Sequence, residues 1–120
     1  MTIYSIDWSH KDEKKAIYSK EGLLKKEPNF VEGDIVTTEN MPHRQCVGVH
    51  YKGVEIYKCN TDVTASVREK DGIEKTDEND AKIIYQEFIN NTDKFRKWEY
   101  DLVREQLTLQ VKIRSQKVEA

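Results

Sequence analysis

Four carboxylates stand where this chain could do chemistry: Asp7, Glu39, Asp77 and Asp80. The last two lie in the stretch Lys75-Thr76-Asp77-Glu78-Asn79-Asp80-Ala81. Thr76 reads as a helix N-cap, and Ala81, Ile84, Tyr85 and Phe88 then recur at helical spacing. A helix starting at Asp77 puts Asp77 and Asp80 on one face of its first turn. Two carboxylates on one face can share a divalent cation. The same two acids also suit an ordinary helix start, because the positive end of the helix dipole favours them. Asp7 could form the turn into Ser9-His10-Lys11-Asp12 or be a metal ligand held by a rigid strand, and Glu39 repeats its placement. Each stands where an apolar or β-branched strand meets a loop, and aspartate is disfavoured in strands and costly to bury unpaired. Phosphodiester cleavage and strand transfer use such acids to hold two Mg²⁺ ions roughly 4 Å apart, one at the nucleophile and one at the leaving oxygen. Mg²⁺ prefers hard oxygen ligands of this kind.

The elements that must position these acids can be read in order. Met1 to Trp8 reads as a strand whose mixed pattern suits burial on both faces. Lys15 to Lys20 and Leu23 to Lys26 flank Glu21-Gly22 as a hairpin, giving a three-strand antiparallel meander with the first strand. Asp34 to Glu39 is a β-branched strand, and Val54 to Cys59 alternates as a fifth. Between them Pro42 opens a helix over His43 to Tyr51, closed by Gly53. A strand, helix, strand order favours a parallel pair with a right-handed crossover. Asn60 to Asp71 reads as an irregular loop or short helix closed by Gly72. The helix from Asp77 runs to about Ile89. Residues 93 to about 118 read as one long helix, without proline or glycine, whose wide apolar face suits pairing with another chain.

Composition sets the outer bounds. With 120 residues this is one domain's worth of chain. Twenty basic and 22 acidic residues leave a net charge of −2, so a domain-wide basic field for nucleic acid is excluded, while a local patch stays open. Lys94, Arg96, Lys97, Arg104, Lys112, Arg114 and Lys117 supply either such a phosphate-contacting surface or an ordinary solvated helix face. Cys46 and Cys59 lack C-x-x-C spacing and clustered histidines, which argues against zinc and for two small buried thiols. No apolar run approaches the roughly twenty residues of a membrane span, and no signal-peptide layout opens the chain. The expected setting is the reducing cytoplasm.

The order Asp, Glu, Asp-x-x-Asp resembles the DEDD transposases of the insertion sequence one-ten group, relatives of the Piv and MooV DNA invertases. Ser5-Ile6-Asp7-Trp8-Ser9-His10-Lys11 resembles that family's opening Gly-Ile-Asp-Val-Ser-Lys segment. Ile35-Val36-Thr37-Thr38-Glu39-Asn40 is similar to its strand ending in Glu, and Tyr57-Lys58-Cys59-Asn60 to the strand that follows. Lys75-Thr76-Asp77-Glu78-Asn79-Asp80-Ala81 is similar to its Lys-Thr-Asp-x-x-Asp-Ala, the most specific piece. The resemblance spans nearly the whole chain but only the N-terminal half of the family's proteins. Three features depart from it: Ser5 replaces Gly, Asn40-Met41-Pro42 replaces the usual Thr-Gly, and the segment before Ile35 is short for the family's first helix.

The resemblance implies an α/β fold of the RNase H-like, RuvC type: a mixed five-stranded sheet with helices over residues 1–92, then the long helix over 93–120 as a coiled-coil segment. It implies Asp7, Glu39, Asp77 and Asp80 as catalytic residues and ligands of Mg²⁺ or Mn²⁺. It implies DNA as partner, with a structured noncoding RNA in some members, and a homodimer through the C-terminal helix. The family's serine nucleophile belongs to a C-terminal half with no counterpart in these residues. The expectation is therefore a fragment, a relic or a stand-alone version: a metal-dependent transposase domain in one reading, a non-catalytic dimerising nucleic-acid-binding module in the other.

Overall fold

A computed structural model of the chain describes residues 1–8 and 15–101. Six strands form one mixed sheet: β1 (Ile3–Trp8), β2 (Lys15–Ser19), β3 (Gly22–Leu23), β4 (Ile35–Thr38), β5 (Glu55–Lys58) and β6 (Arg96–Trp98), in the order β3-β2-β1-β4-β5-β6. β1, β4 and β5 run parallel to their neighbours in that set. The hairpin strands β2 and β3 pair antiparallel on one side, and β6 pairs antiparallel with β5 on the other. The expected meander and parallel crossover are both present, with β3 ending at Leu23 rather than Lys26.

Helices cover both faces, and side-chain alternation decides which residues meet them. Even-numbered Ile6, Trp8, Val36 and Ile56 point to one side and form a core with Cys46 and Val49 of α1 (His43–His50). Odd-numbered Ile3, Ile35 and Tyr57 point to the other and meet Ile84 and Phe88 of α3 (Asp77–Asn90). Burial on both faces explains why the β1 sequence is apolar-rich without strict alternation. The face under α3 also buries a polar pair, Ser5 and Thr37, whose hydroxyls lie 2.6 Å apart. Neither loses a hydrogen bond on burial, so the cost is offset within the pair. Both cysteines are free and buried, and burial pushes both thiols up, Cys59 to about 12.

The segment from Asn60 is a full helix, α2 (Thr61–Asp71), closed by Gly72 in the left-handed region at φ 65°. α3 begins as its sequence predicts. The Thr76 hydroxyl accepts from the Asn79 backbone N–H at 3.1 Å, satisfying one orphan donor of the first turn. Thr76→Ala is therefore expected to cost about 1 kcal/mol in urea unfolding. A cost indistinguishable from zero would mean the first turn does not depend on this cap.

Two expectations need correction. The sheet has six strands, not five. Where the long helix was to begin, Thr92–Lys94 is a single 3₁₀ turn and Arg96–Trp98 is β6. Phe95 and Trp98, spaced as a helical stripe, instead join opposite faces of the sheet: Phe95 packs on Phe88 and Trp98 on the α1 side. The gain is physical, because β6 pairs the otherwise open edge of β5. The rest of the expected helix, residues 102–120, lies outside the described residues. Among the described residues no helix is long and apolar enough to cross a membrane.

Candidate functional site

Strand register brings the first two acids together. Ser5 pairs with Thr37 and Ile6 with Thr38 across the parallel strands β1 and β4. One step further the same register sets Asp7 beside Glu39, just past the end of β4. Both occupy odd positions, so both belong to the face that α3 covers. Neighbouring strands run about 4.8 Å apart, which leaves two carboxylates little freedom to avoid each other. Asn40 fixes this end of the sheet. Its Oδ1 accepts from the Trp8 backbone N–H at 3.1 Å, and its Nδ2 donates to the Trp8 carbonyl at 2.6 Å. The side chain thereby extends the β1–β4 ladder past the last strand residue.

α3 brings its acidic first turn to the same end of the sheet. Asp7, only 5% exposed, lies within hydrogen-bonding reach of the Asp77 carboxyl. Its pKa is raised from 3.8 to about 8, first by burial, then by the hydrogen bond with Asp77, then by the charges of Asp80, Asp77 and Glu39. The Glu39 pKa is raised as well, chiefly by burial and further by Asp80, while the Thr64 hydrogen bond and the charges of Arg68 and Lys75 pull it down. The four sequence-predicted acids thus form one electrostatic unit, drawn from β1, the end of β4 and the start of α3. An acid kept only as a cap or turn former gains from its surroundings. Asp7 is held against its own preference.

α2 supplies partners that were not foreseen. The Thr64 hydroxyl, fully buried, donates to Glu39 Oε2 at 2.6 Å. One turn later Arg68 Nη1 donates to Asp80 Oδ1 at 2.5 Å. The i, i+4 spacing places both on one face of α2. The sequence offered that spacing as the signal, but a polar helix with a threonine and an arginine one turn apart is common. Away from these acids, His43, Arg44 and His50 lie on exposed positions of α1, and His10 lies outside the described residues.

The donor set is chemically uniform: four carboxylates, with Thr64 and Arg68 as their partners. Such oxygens suit hard cations such as Mg²⁺ or Mn²⁺. In the arrangement seen, no three His, Cys, Asp or Glu groups among the described residues stand at metal-holding spacing. Asp80 is turned to Arg68, Glu39 to Thr64, and Asp7 and Asp77 to each other. Compared with protein-family models, curated proteins and solved structures, the chain matches none.

Proposed function

We propose that the chain is an RNase H-like, RuvC-type domain related to DEDD transposases, binding Mg²⁺ or Mn²⁺ through Asp7, Glu39, Asp77 and Asp80 and acting on DNA in strand cleavage and transfer. One observation carries this reading: acids far apart in sequence are brought by strand register and helix placement to the C-terminal end of the two central strands, where they repel one another. The mixed sheet and the helices on both its faces agree with that fold. A bound divalent ion would polarise a phosphodiester and activate its attacking oxygen. The chain's own part is to hold the acids rigidly: Asp7 through Asn40 and the β1 ladder, Glu39 through Thr64, Asp77 and Asp80 through the capped start of α3. DNA, with or without a structured RNA, is the partner in this proposal, and the chain acts as a homodimer.

The test is direct metal titration. Wild type is expected to bind Mn²⁺, with affinity reduced tenfold or more in Asp7→Ala and in Asp77→Ala. Equal, weak binding by all three proteins would remove the metal reading. The Arg68–Asp80 ion pair, which already neutralises one acid, favours the second reading, a non-catalytic nucleic-acid-binding module. Retained DNA binding with no metal binding would select it.

A further inference from the structure

We propose that Arg68 is a built-in counter-cation of the carboxylate group and sets how strongly this site takes a divalent ion. The inference rests on the metal reading above and adds a residue to it. Arg68 and Asp80 meet at 2.5 Å with side chains only 15% and 9% exposed. At that burial solvent screens the pair weakly, so its attraction competes strongly with any other cation for Asp80. Arg68 comes from α2, whereas the acids come from β1, the end of β4 and α3. Thr64, on the same face of α2, engages Glu39. α2 thus lies along the acids as a separate element, one polar contact to each of two of them.

The Asp80 carboxylate is directed to Arg68. An incoming divalent ion must draw Asp80 away from the guanidinium. Removing the positive charge removes the competitor and leaves a more negative site, so metal affinity rises. The contrary role, in which Arg68 orients Asp80 as a ligand, makes the opposite prediction, that its loss weakens binding.

Mn²⁺ titration of wild type, Arg68→Met and Arg68→Lys decides between them. Arg68→Met is expected to tighten Mn²⁺ binding about tenfold or more, with Arg68→Lys much closer to wild type. Unchanged or weaker binding in Arg68→Met overturns the proposal while leaving the metal reading intact. No binding by wild type overturns both. Because Arg68→Met leaves Asp80 without its partner, that variant can fail to fold. A measurement on wild type then decides. The Arg68 side-chain nitrogen resonances should shift in step with Mg²⁺ saturation as the ion pair opens, and resonances unmoved at saturation sink the idea.

Discussion

Asp7→Asn is expected to make the metal-free protein more stable at pH 8, by on the order of 2–4 kcal/mol. The sign follows from proton counting. In the folded chain Asp7 keeps its proton up to about pH 8, whereas in the unfolded chain it ionises near 3.8. Between those values the native state binds the extra proton, so wild-type stability falls as pH rises from about 4 to 8. Below pH 4 the carboxyl is protonated in both states and the penalty vanishes. Asparagine has no charge to lose, and its amide can still donate to Asp77. The variant's stability should therefore decline less steeply than wild type over this range, Glu39 keeping a raised pKa of its own, and urea unfolding at pH 5, 6.5 and 8 measures both slopes. Equal slopes would show that Asp7 is not held in a repelling group. The metal reading adds a reversal: saturating Mg²⁺ should stabilise wild type by mass action and leave Asp7→Asn nearly unaffected.

This trade-off also shows why the acids were legible in the sequence. Asp7 breaks the pattern of a strand that is otherwise well suited to burial, and Glu39 ends a β-branched run. Departures from local rule are where function is expected to be found. Thr76 and the periodic residues after it marked the start of α3 for the same local reason that makes the cap work. The strand β6 was not legible. Phe95 and Trp98 are three apart, which fits a helical stripe, and only the open edge of β5 makes the extended form better. Tertiary context outweighs periodicity over a segment that short. Thr64 and Arg68 were hidden for a further reason. Their partners, Glu39 and Asp80, lie 25 and 12 residues away, and nothing local in α2 says which face will meet them.

Phe88→Ala is expected to cost about 3–5 kcal/mol in urea unfolding, a large fraction of the stability of a domain this size. Phe88 is 7% exposed and touches two further rings, Tyr57 of β5 and Phe95 just before β6, each at 5.2 Å between centroids. The contact with Phe95 is edge-to-face at 85°, the favoured geometry for an aromatic pair. Truncation removes both contacts and leaves a cavity between α3, β5 and β6. Ile89, the next residue on the same helix, is 52% exposed, and Ile89→Ala should stay within about 0.5 kcal/mol of wild type. A comparable cost at both positions would mean that α3 does not meet the sheet through this face. The difference bears on the site because α3 carries Asp77 and Asp80 at its other end. Phe88 anchors the far end of the lever and the Arg68–Asp80 pair the near end. Loosening the far anchor alone should lower the unfolding midpoint while Mn²⁺ affinity in the folded variant changes much less, since the near end keeps its own bonds. A parallel collapse of affinity would instead show that the packing of α3, rather than its capped first turn, sets the geometry of the acids.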